Sequence, residues 1–315
     1  MSRPQLHTSV YPAIAPETIG QANKGQVAVV TGAARGIGAA IAEALAKSGA
    51  DVALLDLDEE RQAETKAACE KHGVRARPYA CNVLDLKSCE RTFASIQEDL
   101  GPVDILVNNV GANARRPFCM ETFESFWSGV EMNLKPAMAC IFQVLPGMRQ
   151  RRRGCIINIA SRAGTVPMPF GGAYCTGKGA IIRAVSCIQK ELEMDGFGDN
   201  IHVYALHPGA TLSQPSLSFH PDVAEAYPQE AAKWAQFHKL FKCPPAQCAQ
   251  TCAFLAAGRG KALRGKYFDC EQDIGTVVAA GEEGLKGLYE LKVDFLGGLP
   301  NDGGTAVAVI EHENK

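Results

Sequence analysis

Residues 27–38 read Val-Ala-Val-Val-Thr-Gly-Ala-Ala-Arg-Gly-Ile-Gly, and no other stretch restricts the fold as strongly. Val27 to Val30 is short, apolar and rich in β-branching, as suits a strand buried on both faces. Ile37 to Ala46 then takes up helical periodicity. Glycines between such a strand and helix let the backbone turn tightly and approach a pyrophosphate. The first helical turn offers that anion free N–H groups and a partial positive charge. Gly32, Gly36, Ile37 and Gly38 are therefore candidate dinucleotide contacts. A plain tight turn is the simpler alternative, and the flanking strand and helix argue against it.

The strand–helix alternation continues from there. Strands are predicted at 51–55, 75–80, 103–107, 155–160, 201–206 and 266–268, with helices at 59–71, 86–100, 121–148, 173–194 and 246–257. The 121–148 helix is expected to be interrupted near Pro136. Alternation of this kind implies right-handed crossovers, hence an α/β fold with a doubly wound parallel sheet and helices on both faces. Ligands of such sheets bind beyond the carboxyl ends of the strands. Thr31, Asp56, Asn108, Ser161 and His207 should accordingly share one rim.

Asp56 closes the second strand, where a carboxylate accepts hydrogen bonds from an adenosine ribose diol and repels a 2′-phosphate. Arg35, in the glycine turn, pulls the other way, since a guanidinium there receives that phosphate. The carboxylate is the more direct constraint, so the expected cofactor is NAD, with NADP as the alternative.

Tyr174 and Lys178 are four residues apart and face the same side of a helix. A free tyrosine titrates near about pH 10, and a nearby ammonium favours the phenolate. Such a phenol exchanges a proton with a substrate oxygen. Ser161, at the end of the preceding strand, is placed to hold that oxygen. Tyr-x-x-x-Lys is common on solvated helix faces, so the pair has meaning only together with the glycine turn.

Taken together, these residues resemble the short-chain dehydrogenases/reductases. The matches are Thr31-Gly-x-x-x-Gly-Ile-Gly38, Asn108-Asn-x-Gly111, Asn133, Ser161, Tyr174-x-x-x-Lys178 and Pro208-Gly209, in the family's order, over about residues 25–270. Three residues between the first two glycines mark the compact, single-domain branch. The resemblance implies a Rossmann-like domain with Tyr174 as general acid/base. Lys178 would bind the nicotinamide ribose and depress the Tyr174 pKa, and Ser161 would orient the carbonyl. Asn133 would break its helix locally and hold a water. Asn82 and Val83 would approach adenine, and Asn109 and Gly111 would support the adenosine side. Pro208, Gly209 and Thr211, with Ser213 a further candidate, would meet the nicotinamide. Asn82 stands where the family commonly has Asp, and Val110 where it commonly has Ala. The resemblance also implies a homodimer or homotetramer through the two long helices.

Residues 1–24 read as an N-terminal arm, 25–274 as the catalytic domain and 275–315 as an extension. Within that extension, Leu285, Leu288 and Tyr289 suggest a short amphipathic helix, and 306–310 an extended strip. Residues 208–245 break the alternation; Trp234, Phe237 and Phe241, at helical spacing, read either as a lid over the rim or as core. The pocket wall is expected from 112–118 and 162–168, with Arg115, Arg116 and Arg162 among apolar residues. An arginine gripping a substrate carboxylate competes there with ordinary ion pairing. A mid-sized, cyclic or aromatic secondary alcohol or ketone fits such a wall.

A net charge of −2 gives no pull toward nucleic acid or anionic membrane, and no apolar run spans a bilayer. The one basic run, Arg149 and Arg151–Arg153, complements a helix C-terminus more simply than it makes a polyanion site. The twelve cysteines form no CxxC pair, and the chain starts without a signal-peptide pattern, so reduced thiols and a cytoplasmic location are expected. Cys243, Cys248 and Cys252 with His238 read as small buried residues rather than zinc ligands, and no metal is expected. Two other readings compete: a non-redox reaction on the same scaffold, such as dehydration or cyclisation, and a dinucleotide-binding protein without turnover.

Overall fold

The computed structural model describes residues 3–113, 115–211, 219 and 221–294. Seven strands make one parallel sheet: β1 (Val27–Thr31), β2 (Asp51–Asp56), β3 (Ala76–Ala80), β4 (Ile105–Asn108), β5 (Gly154–Ile159), β6 (Ile201–His207) and β7 (Tyr267–Asp269). Their spatial order is β3-β2-β1-β4-β5-β6-β7, so the chain winds outward from β1 in both directions. β1, β4, β5 and β6 are buried along their whole length. β3 lies at one edge and carries Pro78, which a central strand would not tolerate.

Alternate strand residues feed two cores. Ala28, Val30, Leu54 and Leu206 face α2 (Gly36–Lys47) and α9 (Pro245–Ala256), where Ile41, Leu45, Cys248 and Cys252 are buried. Val29, Leu106, Ile156 and Val203 face α4 (Leu86–Asp99), α5 (Phe123–Arg151) and α6 (Gly172–Met194), meeting Phe93, Ile141 and Val185. The two-residue period of a strand makes both faces apolar, and the crossover helices cover them. α3 (Ala63–Glu70) completes the set of crossovers.

Two expectations change. α5 runs unbroken through Pro136 and Pro146. Thr122 caps it by accepting from the Ser125 N–H, and Pro136 is buried, so packing holds a helix that proline alone would interrupt. Residues 285–289 form turns rather than an amphipathic helix. Gly281, Gly287 and Tyr289 all have positive φ, and the Tyr289 carbonyl accepts from the Tyr267 N–H to extend the edge of β7. The helices of this region are the short α10 (Ile274–Ala279) and α11 (Gly281–Gly284), and the 306–310 strip lies outside the described residues.

The N-terminal arm has structure of its own: a 3-10 turn at Pro12–Ile14 and α1 (Pro16–Ile19). Tyr11, Ile14 and Ile19 are buried in the first core. Its anchors are single residues rather than a periodic stripe, so the sequence pattern does not show them. The Tyr11 hydroxyl donates to the Gln272 carbonyl at 2.8 Å and accepts from the Ile274 N–H at 3.0 Å, tying the arm to α10. Tyr11→Phe should cost about 1–3 kcal/mol, because it strands a buried N–H and a carbonyl. Urea unfolding reads the difference, and an unchanged midpoint would count against this anchoring.

Candidate active site

All seven strands point the same way, so Thr31, Asp56, Asn108, Ser161 and His207 lie at or just past the carboxyl ends of β1, β2, β4, β5 and β6 along one rim. At one end of that rim is the glycine turn. Gly32 and Gly36 have φ of 65° and 60°, the left-handed region where glycine is at ease. A Cβ on Gly38 would collide with the Gly32 carbonyl oxygen. The Asn109 N–H donates to the Thr31 hydroxyl at 2.9 Å and its side-chain amide to the Thr31 carbonyl at 3.1 Å, clamping β4 to the turn.

Asp56 sits beside this turn. Its carboxylate accepts from the Ala34 N–H at 3.1 Å and the Leu57 N–H at 2.8 Å, and it remains partly exposed. Arg35 is exposed at the start of α2. Asn82 is exposed next to buried Val83, and its Oδ1 accepts from the Leu84 N–H. The turn leaves open space at Gly36, where an added Cβ would meet nothing within 4 Å. The side-chain-free backbone at Gly36, the N–H groups of α2 and a nearby carboxylate together fit a dinucleotide.

The reactive group gathers farther along the rim. Asn133, on α5 and 2% exposed, donates to the Ala112 carbonyl at 2.6 Å and the Gly129 carbonyl at 2.9 Å, and accepts from the Ala112 N–H at 3.2 Å. It therefore fixes the loop after β4 without breaking its own helix. Lys178 on α6 is 3% exposed and donates to the Ile159 carbonyl at 2.7 Å. Gly111 lies between the two. A Cβ there would stand 2.7 Å from Asn133 Oδ1 and 3.0 Å from Lys178 Nζ, so only glycine leaves them room.

Burial pulls the Lys178 pKa down to about 8, because the ammonium is taken out of water with no carboxylate beside it among the described residues. The Tyr174 ring centre is 5.8 Å from Lys178 Nζ. Burial holds the Tyr174 pKa above its usual value. Against that act a hydrogen bond from Ser161 and, more weakly, the Arg115 guanidinium. The expected pull on the phenol from Lys178 is thus taken by Ser161 and Arg115 in the cofactor-free chain. Ser161 Oγ also accepts from the Ala163 N–H at 3.2 Å.

Pro208, Gly209 and Thr211 follow β6. Gly209 has φ 79° and packs against Cys243 and Cys270, and the buried Thr211 hydroxyl donates to the Pro208 carbonyl at 3.1 Å. Ser213 lies outside the described residues. Two features of the expected pocket wall have partners that the sequence did not show. Arg162 donates to Asp269 at 2.7 Å and Glu271 at 2.5 Å, and Glu271 also accepts from the Ala210 N–H at 2.6 Å and from the Cys243 thiol at 3.1 Å. His207, Asp269 and Glu271 bring donor atoms within 4.8 Å of one another, but Arg162 already meets both carboxylates. The second feature is Arg115, buried to 6% exposure under the Trp234 ring.

α7 (Pro221–Ala226) and α8 (Pro228–His238) lie on this side. Neither core includes the Trp234, Phe237 and Phe241 stripe; Phe237 is 46% exposed, and Trp234 stacks over Arg115 from the loop after β4.

Residues 26–222 match the model of the short chain dehydrogenase family. A short chain dehydrogenase of Pseudocercospora fijiensis is 30% identical over 281 residues, covering 87% of this chain and 89% of that one. Galactitol 2-dehydrogenase of Agrobacterium fabrum is 35% identical over 210 residues, 66% of this chain and 76% of its own. The crystal structure of NAD+-bound xylitol dehydrogenase superposes with a TM-score of 0.70 at 28% identity, covering 79% of this chain and 99% of that one. The chain belongs to the short-chain dehydrogenase/reductase family, whose enzymes interconvert alcohols and ketones with a nicotinamide dinucleotide.

The buried ammonium yields a signed test. Below pH 8 both folded and unfolded chains carry a protonated Lys178, and folding bears the full cost of burying it. Between about 8 and 10.5 the folded chain releases the proton first, so stability rises with pH. Relative to Lys178→Met, the cofactor-free wild type should gain up to about 3 kcal/mol across that window. Denaturant titrations at several pH values measure the gap, and a pH-independent gap would refute the buried-ammonium reading.

Proposed function

We propose that this chain is an NAD(P)-dependent oxidoreductase that interconverts a secondary alcohol and its ketone, with Tyr174 as general acid/base and NAD as the preferred cofactor. The observation that carries the reading is the meeting of Tyr174, Ser161, Lys178 and Asn133 on the same rim as the glycine turn. When bound, the nicotinamide supplies the hydride acceptor or donor.

Gly32, Gly36, Ile37 and Gly38 would seat the pyrophosphate, and Asp56 would accept from the adenosine ribose. Asn82 and Val83 would border the adenine, with Asn109 and Gly111 behind them. Pro208, Gly209 and Thr211 would hold the nicotinamide end, and Lys178 its ribose. Ser161 would hold the substrate oxygen while the Tyr174 phenolate takes its proton in oxidation, or the phenol returns it in reduction. Because burial raises the phenol, oxidation should speed up and reduction slow down as pH rises through the alkaline range. The aromatic side chains of Phe170, Phe219, Tyr227 and Trp234 meet one another or Arg115 beside the site. They support a mid-sized, cyclic or aromatic substrate and a lid role for 208–245.

Phe123, Trp127 and Phe142 on α5 and Met194 on α6 are exposed. They support a homodimer or homotetramer through these helices, which solution mass decides. No helix among the described residues is long and apolar enough to cross a membrane, and twelve unpaired thiols suit a reducing, cytoplasmic setting.

The test follows cofactor absorbance with NAD or NADP across a panel of cyclic and aromatic alcohols and ketones. Tyr174→Phe should lower kcat by about 100-fold or more while NAD still binds; full activity in that variant rejects the mechanism. Asp56→Ala should weaken NAD binding and narrow the preference over NADP. Unchanged NAD affinity would remove Asp56 from the ribose site.

A further inference from the structure

Arg115 is a costly charge on the rim, buried as Lys178 is. It is 6% exposed, and its Nε is buried with no hydrogen-bond partner. Of its two terminal nitrogens, Nη2 has only a weak acceptor, Met168 Sδ at 3.9 Å. The guanidinium carbon lies 3.1 Å from the centre of the Trp234 ring and 5.9 Å from that of Phe219. Among the described residues no carboxylate pairs with it, and residues 212–218 of the lid region contain no Asp or Glu.

The neighbouring arginines differ. Arg116 pairs with Asp222, and Arg162 with Asp269 and Glu271. A desolvated cation with no anion is expensive, and one aromatic face offsets only part of that cost. The position is also a reactive one. Arg115 lies close enough to Tyr174 for each to bias the other's charge. It sits where the loop after β4, the 168–170 loop and α8 converge. A planar guanidinium presents a fork suited to a carboxylate.

We propose that Arg115 is a substrate-binding residue that pairs with a carboxylate carried by the alcohol or ketone, so that the enzyme acts on a hydroxy acid and its oxo acid. The proposal rests on the alcohol–ketone reading above. The reaction balances without the carboxylate changing: the carbinol hydrogen leaves as hydride to the oxidised cofactor, the O–H proton goes to the Tyr174 phenolate, and a C=O forms. The carboxylate serves to fix which carbon faces the nicotinamide. Trp234, stacked on the same guanidinium, closes over the ion pair and keeps water from it.

The chain has two tryptophans, so Trp127→Phe leaves Trp234 as the sole indole reporter beside Arg115. In that variant loaded with NAD, benzoate should change the emission saturably and benzamide should not, and Arg115→Met should abolish the benzoate response. In turnover, mandelate and 3-hydroxycyclohexanecarboxylate are compared with their methyl esters. Arg115→Met should raise KM for an accepted acid by roughly 10- to 100-fold and leave the ester nearly unchanged. Arg115→Lys, which keeps the charge, should retain a preference for acid over ester and controls for misfolding of the Met variant. Equal responses to benzoate and benzamide, or equal losses for acid and ester, would overturn the proposal and reduce Arg115 to a strap holding the lid. Failure of every alcohol to reduce the cofactor would instead strike the redox reading, while the fluorescence response still reports whether Arg115 takes an anion.

Discussion

A parallel sheet cannot be closed by hairpins, and everything in this molecule follows from that constraint. Each return from the end of one strand to the start of the next must cross a face of the sheet, and a helix is the economical crossing. The helices cover both faces, so the strands between them must be apolar on both sides, as β1, β4, β5 and β6 are. All carboxyl ends then fall along one rim, where polar side chains from distant sequence positions meet. Beneath that rim buried amides add to the backbone pairing: Asn108 donates to Asn158 at 2.9 Å, and Asn158 donates to the Tyr204 carbonyl at 3.2 Å. This chain ties β4, β5 and β6 together directly beneath the reactive residues. Unlike a solvent-exposed loop, such a floor gives Ser161 and Lys178 fixed positions.

The reactive pair is held in a state that water would not allow. Lys178 donates a hydrogen bond to the Ile159 carbonyl, and no carboxylate lies beside it among the described residues. Tyr174 is pushed toward its neutral form by the same enclosure. Burial destabilises the charged form of each group, the phenolate of Tyr174 and the ammonium of Lys178. The glycine at 111 is what permits this arrangement, because any side chain there would separate Asn133 from Lys178. A loop glycine and a buried lysine, far apart in sequence, are one steric decision.

Much of this was legible in the residues alone, and the exceptions have physical causes. The strands and long helices announce themselves by period, since their burial is repeated many times over. The glycine turn and the Tyr-x-x-x-Lys spacing are local, so sequence distance equals spatial distance. Pro136 misled because a proline's local cost is visible and the packing that overrides it is not. The anchoring of the arm does not show in the pattern because Tyr11, Ile14 and Ile19 make three isolated insertions with no period. The turn at 285–289 owes its shape to backbone with positive φ, including a tyrosine, which sequence pattern does not reveal. Arg115 was visible as a candidate, but its burial depends on Trp234, more than a hundred residues later.

The three arginines near the reactive rim show why position outranks residue type. Arg162 follows Ser161 and spans the ends of β5 and β7, and its two carboxylates raise its pKa and lock it in place. Glu271 passes the same constraint to Ala210 and Cys243, so the turn that carries Pro208 and Gly209 is pinned to the rim. His207, enclosed beside them, is held down to about 4 by burial and accepts the Arg162 N–H on Nδ1, which leaves it neutral at physiological pH. That corner of the site is thus electrostatically closed: its guanidinium and carboxylates answer one another, and its imidazole carries no charge. Arg116 is closed in the same sense by Asp222. Arg115 lies among groups that cannot cancel it, a thioether, an indole and a phenol held neutral, and the field of that one cation falls across the phenol that must exchange the proton.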